Sequence, residues 1–253
     1  MFAMPKFTSR TTPRLLLVLL LITLSGCVWL RLLEIKNQLA DFDDNVRIEV
    51  ANKHFIVHLL KPVLRSDDFI YLSKLQPSRK EFLPDGTQRW YLDFNFDPAK
   101  TPAQQTQQVS FIMTYTPRQR LAAFDFSPLF VEMAPPVFLE ASIRSLGVGK
   151  VDQDKKQLKV DPEDLPKLAA SLPKTANITS VMGPPTEERM EDGLKLLIYR
   201  FKATAVPVDP EYEERRIAEA KLYFDPAKDE LIRLKGKFAG LKLSIDYRKL
   251  SQR

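Results

Sequence analysis

Two stretches of the chain, 107 residues apart, share the same alternation of apolar and polar side chains. The apolar positions are Trp90, Leu92, Phe94 and Phe96 in the first stretch and Leu197, Tyr199, Phe201 and Ala203 in the second. Successive side chains of a β-strand point to opposite faces of the sheet. An alternation with a period of two therefore predicts a β-strand with one buried face in each stretch. Asp85-Gly86 precedes the first stretch and Asp192-Gly193 the second, and an Asp-Gly pair is typical of a tight hairpin turn.

The elements around these strands follow the same order in both halves of the chain. Apolar residues at helical spacing in 30–42 and 137–146 predict amphipathic helices, and Gly147 is expected to stop the second of them. A pair of short strands follows each helix, at 46–50 with 54–59 and at 148–152 with 157–160. Short helices are predicted at 67–75 and 175–182, and three strands then complete each half.

The predicted fold class is therefore α+β, with two tandem repeats in which helices pack on a small antiparallel β-sheet. A break near Pro135-Pro136 places the first repeat at 27–134 and the second at 135–253, and each has a common domain size. The alternative is a single continuous sheet built from both halves.

The first 26 residues have the layout of an export signal. Lys6, Arg10 and Arg14 precede an apolar run at 15–23, and small residues follow up to Gly26. The run is shorter than the about 20 apolar residues that a membrane-spanning helix needs. A retained transmembrane helix is therefore the weaker alternative.

The residues at the end of this signal resemble the bacterial lipobox: Leu24, Ser25, Gly26 and Cys27. The resemblance implies that the Cys27 thiol is acylated and that the peptide bond before it is cut, which leaves residues 1–26 as a lipoprotein signal peptide. Cys27 is the only cysteine, so no disulfide can form within one mature chain. The alternative is a soluble exported protein with a chance cysteine.

The residues after Cys27 bear on where the anchor is held. Among lipoproteins, an aspartate after the cysteine resembles the inner-membrane retention signal, and this chain has Val28 there. We therefore expect an anchor in the outer membrane that faces the periplasm, with the inner membrane as the alternative. Trp29 and Leu30 continue directly into the first predicted helix, which predicts that the first repeat lies close to the lipid headgroups and that the second projects outward.

Charge gives little support for a nucleic-acid partner. The signal carries three of the 38 Lys and Arg residues and none of the 32 acidic ones, so cleavage lowers the formal net charge from +6 to +3. No dense Lys/Arg block or RNA-type aromatic motif is found. We expect a membrane contact through the N-terminal lipid and an envelope protein partner, and no nucleic acid.

Side chains that could carry catalysis form no pattern typical of an active site. His54 and His58 are expected on the polar face of an edge strand, about 13 Å apart, which is too far for one metal ion. The acidic pairs at 43–44, 67–68, 187–188 and 213–214 are expected on solvated loops and helix starts. No Gly-x-Ser-x-Gly motif is present, and acylation of Cys27 removes the one thiol nucleophile. We therefore predict a non-enzymatic protein with no metal and no cofactor.

One part of the chain carries a family resemblance. A short helix ending in Val181-Met182-Gly183-Pro184-Pro185, a glycine-centred turn and the strand around Ile198-Tyr199-Arg200-Phe201 are similar to the small outer-membrane assembly lipoproteins of the SmpA/OmlA (BamE) type. In the first half, Gln76 stands where that family tends to have glycine. The resemblance implies helices packed on a three-stranded antiparallel sheet, a scaffold or assembly role at the outer membrane, and no catalytic residues.

Two functions follow from these patterns. The first is an assembly or scaffolding role in the cell envelope for a membrane-anchored periplasmic lipoprotein. The alternative is a carrier or receptor for an apolar ligand such as lipid, because aromatic residues of the alternating strands could line a cavity: Trp90, Phe94, Phe96, Tyr199 and Phe201. Core packing is the other interpretation of these side chains.

Overall fold

A computed structural model describes residues 28–96, 107–152, 157–159 and 167–251 of the chain. Its helices are α1 (28–40), α2 (Phe42–Asn45), α3 (Ser66–Ser73), α4 (Pro128–Met133), α5 (Pro136–Val148), α6 (Thr175–Met182) and α7 (Tyr247–Leu250), and a 3-10 helix spans Pro210–Arg216. Its strands are β1 (Val46–Ala51), β2 (His54–Leu59), β3 (Arg79–Phe82), β4 (Gln88–Phe96), β5 (Gln108–Tyr115), β6 (Leu121–Phe126), β7 (Lys150–Asp152), β8 (Gln157–Lys159), β9 (Glu187–Glu191), β10 (Leu194–Ala203), β11 (Ile217–Asp225), β12 (Glu230–Phe238) and β13 (Leu241–Asp246).

Most of the strands form one antiparallel sheet of 11 strands. Its main path has the order β1-β2-β6-β5-β4-β10-β11-β12-β13, while β3 pairs with part of β4 and β9 with part of β10. β7 and β8 form a separate hairpin. The fold class is therefore mixed α+β, and a large curled sheet is its main component.

The two halves of the chain meet in the sheet, where β4 pairs with β10. The partners are Phe94 with Ala203, Asn95 with Lys202, and Phe96 with Phe201. Strands of both halves therefore belong to one sheet, which is the arrangement of the single-sheet alternative and not that of two separate small sheets. The division into domains between residues 134 and 135 stays a prediction.

One face of the sheet encloses the main core together with the helices. Aromatic rings from several strands pack edge to face there, with Phe94 at 6.0 Å from Phe111 and 5.3 Å from Phe238 between ring centroids. Phe130 of α4 lies 5.2 Å from Phe111. Full burial of one such side chain stabilises a fold by about 1.5–3 kcal/mol, so this cluster outweighs any single polar contact.

The last helix closes this core. The Tyr247 hydroxyl at the start of α7 donates to the Met133 carbonyl at 2.6 Å, and its ring lies 5.0 Å from that of Phe138. A buried hydroxyl without a partner would cost about 1–3 kcal/mol. This hydrogen bond therefore fixes α7 against the end of α4.

The opposite face of the sheet is mostly polar. Its apolar part is a second, smaller cluster made of Leu196, Ile198, Tyr223 and Ile232. Ion pairs cross the strands beside it, and Arg200 contacts both Glu187 and Glu219. Surface pairs of this kind contribute only about 0–1 kcal/mol each, so they mark the solvent side of the sheet more than they stabilise it.

Candidate functional site

The first turn of α1, close behind Cys27 in the chain, is fixed to the first turn of α3. The Arg31 guanidinium donates to both carboxylate oxygens of Asp68, from Nε at 2.7 Å and from Nη2 at 2.5 Å. Asp68 also accepts the Arg65 backbone N–H at 2.8 Å and so caps α3. The Asp68 side chain is 3% exposed and that of Arg31 22%, which makes this a largely buried, bidentate ion pair.

The other end of α1 packs closely against α5. A Cβ atom on residue 147 would lie 2.2 Å from the Leu39 carbonyl oxygen, so the approach requires glycine. The Lys36 ammonium donates to the Gly147 carbonyl at 3.0 Å. The expectation that Gly147 stops its helix is therefore wrong: α5 continues to Val148, and the glycine permits the helix–helix contact.

A third contact lies just beyond α1. Arg144 of α5 donates to Asp43 at 2.7 Å, and its guanidinium lies 3.9 Å from the centroid of the Phe42 ring. The hydrogen bond from Arg144, aided by its charge, lowers the pKa of Asp43. Side-chain contacts with α3 and α5 thus fix α1 and the turn after it to the rest of the fold, beginning in the first turn of α1.

The predicted lipid attachment site, Leu24, Ser25, Gly26 and Cys27, lies outside the described residues. The described residues begin at Val28, and Arg31 follows Cys27 by four positions. About one helical turn therefore separates the candidate anchor from the ion pair between Arg31 and Asp68. The candidate functional site is this short connection between anchor and body.

The aromatic side chains predicted as a ligand face or a core face come together in the core. They are at most 7% exposed: Trp90, Phe94, Phe96, Tyr199 and Phe201. The Phe96 ring lies 5.9 Å from that of Tyr199 and 5.7 Å from that of Phe201, and both contacts are edge to face. Their geometry is that of packed core residues.

Both histidines project from the same face of β2, as their spacing predicts. Nδ1 of His54 lies 2.9 Å from Asp125, and Nε2 of His58 lies 2.8 Å from Glu49. β2 is not the edge strand that this polar pattern suggested, because β1 pairs with one side of it and β6 with the other. Burial raises the pKa of Asp125, and the contact with His54 opposes that shift.

The acidic pairs of the sequence face cations and do not converge on a cleft. The contacts are Asp43 with Arg144, Asp68 with Arg31, Glu187 with Arg200, and Glu213 with Arg216. In the ranges that the structure describes, no three His, Cys, Asp or Glu side chains are grouped so as to hold a metal ion. One carboxylate of each pair thus contacts a cation; three of these contacts join separate elements of the fold, and that of Glu213 with Arg216 lies within the 3-10 helix.

The ion pair between Arg31 and Asp68 is a site that the sequence patterns missed. Asp68 is the third residue of α3, where an acidic side chain caps a helix, and that spacing was a usable signal. Nothing local links it to Arg31, 37 positions earlier in the chain. The contact depends on the tertiary packing of α1 beside α3.

No helix of the described residues is both long and apolar enough to cross a membrane. No protein-family model matches the chain, and no curated protein and no solved structure is significantly similar to it.

Proposed function

We propose that this chain is the precursor of a Gram-negative bacterial lipoprotein, anchored in the outer membrane by acyl groups on Cys27 and facing the periplasm. Its mature body has a non-enzymatic assembly or scaffolding role in the cell envelope. The ion pair between Arg31 and Asp68, one helical turn after Cys27, carries this proposal. A body mounted so directly on its anchor keeps one height and orientation at the membrane, and such pre-organisation favours binding of a partner.

We also propose that the body consists of two tandem repeats, 27–134 and 135–253. A shift of 107 residues places Asn95 on Lys202, and these two residues pair with each other between β4 and β10. The pairs on either side are exchanged. Phe94 corresponds to Phe201 in the repeat but pairs with Ala203 in the sheet, and Phe96 corresponds to Ala203 but pairs with Phe201. This is the pattern of an isologous contact between two copies of one unit.

Irregularities at corresponding places support the repeat further. The register between β5 and β6 shifts at Thr114/Tyr115, and that between β11 and β12 shifts at Tyr223/Phe224. These positions correspond in the alignment of the two halves, in which the loop before them is two residues longer in the second half. The helices α3 and α6 both have 8 residues, and in each the third side chain accepts the backbone N–H of the residue before the helix. Bulges are built into particular strand pairs, so their agreement supports a common origin of both halves.

The packing of the aromatic residues favours the scaffold over a carrier of an apolar ligand. Phe96, Tyr199 and Phe201 contact one another, and Trp90 lies 4.9 Å from the Tyr115 ring. Their faces are thus occupied by other protein side chains. A ligand would have to displace these contacts to reach them.

Two hairpins offer candidate contacts for an envelope protein partner. Phe82 in β3 is 70% exposed and Met190 in β9 is 60% exposed. Phe82 pairs with Gln88 and Met190 with Lys195, and Gln88 and Lys195 correspond under the 107-residue shift. Each hairpin therefore presents an exposed apolar side chain opposite a corresponding position of its partner strand, although the shift itself places Phe82 on Arg189.

Photo-crosslinking in intact cells tests the assembly role. A photoreactive residue at position 82 or 190 is expected to give discrete adducts with an envelope protein. The exposed Lys228, in the turn between β11 and β12, is the control position and is expected to give none. Membrane-bound protein without a discrete adduct from either hairpin would speak against an assembly role.

A further inference from the structure

The exposed side of α3 and the segment after β10 form a patch near the candidate anchor. This anchor-side patch consists of Tyr71, Lys74, Val206 and Val208. Tyr71 is 50% exposed, Val206 64% and Val208 42%. Exposed apolar side chains that cluster in this way often mark an interaction site.

Backbone contacts hold the anchor-side patch together. The Lys74 carbonyl accepts the Val208 N–H at 3.0 Å, and the Val206 carbonyl accepts the Gln76 N–H at 2.8 Å. The Lys74 ammonium lies 4.4 Å from the centroid of the Tyr71 ring, within cation–π distance. The patch is therefore preformed in the fold.

A short path connects the anchor-side patch to the anchor. Tyr71 lies one turn after Asp68 in α3, and Asp68 binds Arg31, which lies about one turn after Cys27. Two helical turns of about 5.4 Å each and one arginine side chain make a path of about 20 Å. A body joined to its acyl chains without a tether keeps such a surface at the membrane.

We propose that the anchor-side patch rests in the headgroup region of the membrane that holds the lipid anchor. This inference rests on the proposed acylation of Cys27. A tyrosine is suited to the membrane–water interface, where its ring lies at headgroup level, and the ammonium of Lys74 can reach the lipid phosphates. Val206 and Val208 supply apolar area that enters the interface.

The anchor-side patch carries no net positive charge once its acidic neighbours in the chain are counted. The Lys74 ammonium lies 4.4 Å from the centroid of the Tyr71 ring and 5.5 Å from that of the Tyr212 ring. Two exposed acidic residues are near the patch in the chain, Asp67 in α3 and Asp209 next to Val208. We therefore expect membrane binding to depend more on apolar contact than on the content of anionic lipid.

Vesicle co-sedimentation of the mature chain without its lipid tests the proposal. Residues 27–253 with Cys27→Ser, which retain every described element, are mixed with vesicles of phosphatidylcholine and phosphatidylglycerol. Tyr71→Ser combined with Val206→Ser is expected to lower the partition coefficient about tenfold, because about two interfacial apolar contacts are lost. Val50→Ser combined with Leu241→Ser is the matched control, since these side chains are 56% and 58% exposed, and it is expected to leave partition unchanged.

A second variant separates membrane contact from damage to the fold. Val206→Ser combined with Val208→Ser keeps the contact between Lys74 and Tyr71, and loss of partition with an unchanged circular dichroism spectrum supports the proposal. Parent-like partition of both patch variants, or no partition of the parent, overturns it. Absence of acyl groups on Cys27 in cells would overturn the proposed anchor instead, so the two failures are distinguishable.

Discussion

Asp68 is the residue on which the contact between α1 and α3 depends. Its side chain is nearly fully buried and accepts hydrogen bonds from the Arg31 side chain and from the Arg65 backbone. Asparagine at this position would leave the Arg31 guanidinium half-buried beside a neutral group. The missing counter-charge costs more than the altered hydrogen bond itself.

We expect Asp68→Asn to lower the free energy of unfolding by about 2–3 kcal/mol, below the range for a fully buried pair because Arg31 is partly exposed. The matched control is Asp67→Asn at the exposed neighbouring position, with a change below about 0.5 kcal/mol. Urea denaturation followed by circular dichroism measures both. Equal stability of the two variants would show that the ion pair does not hold α1.

Tyr247 predicts how the fold responds to alkaline pH. Burial raises the pKa of its phenol well above the ordinary value of 10.0. Because the folded-state pKa is the higher one, its contribution to stability is fully present below pH 10 and is lost as the pH rises above it. Burial raises the pKa values of Tyr115 and Tyr199 in the same direction.

Absorbance at 295 nm against pH measures this effect. Part of the tyrosine signal is expected to appear only as the near-ultraviolet circular dichroism of the folded state disappears. Tyr247→Phe should reduce that second phase, while a titration in denaturant should show a single phase. Complete ionisation of the tyrosines with native circular dichroism retained would contradict the burial of these phenols.

At the scale of elements, strands with their own apolar alternation were predictable from the sequence. Strands that form only by pairing with a neighbouring strand were not. The alternation at 90–96 and 197–203 lies within β4 and β10, whereas β3 and β9 are polar, lack alternation and gain strand structure from the edges of those two strands. The pattern also could not show that β4 pairs with β10. Alternation identifies the buried face of a strand and says nothing of its edge partner.

Helices show the same limit. α1 was predicted at 30–42 and is described at 28–40, after which the separate turn α2 begins. α4 was missed although Pro128 occupies a favoured first position and Ser127 precedes it, because its 6 residues are too few to show a helical period. The buried aromatic face was predictable from the sequence. The need for glycine at position 147 was not, because the residue that approaches it, Leu39, lies in another helix.

The sheet order predicts how fast backbone amides exchange with solvent. β1 and β13 are the edges of the main path, and β5 and β10 lie in its interior. We expect amides of β5 and β10 to exchange at least about tenfold more slowly than those of the two edge strands, because interior strands open only in larger unfolding events. Hydrogen exchange read by mass spectrometry checks this. Uniformly slow exchange in one half and fast exchange in the other would contradict one cooperative sheet.

For the whole molecule, the proposed orientation of the body depends on the direct connection between Cys27 and α1, which begins at the next residue. A flexible Gly-Ser linker inserted between Cys27 and Val28 would lower the effective concentration of the body at the membrane surface. We expect it to weaken photo-crosslinking from position 71 to lipid by about tenfold or more. The same insertion in the turn at 226–229, between β11 and β12, is the control. Unchanged lipid crosslinking would contradict the rigid mount.

The mass of the intact chain purified from membranes tests the lipid anchor most directly. We predict a chain that begins at Cys27 and exceeds the mass of residues 27–253 by that of its acyl groups, with Cys27→Ala remaining as the uncleaved chain of 253 residues. A membrane-derived chain that begins at another residue, or one whose Cys27 carries no acyl group, would contradict the proposed anchor and the orientation that follows from it.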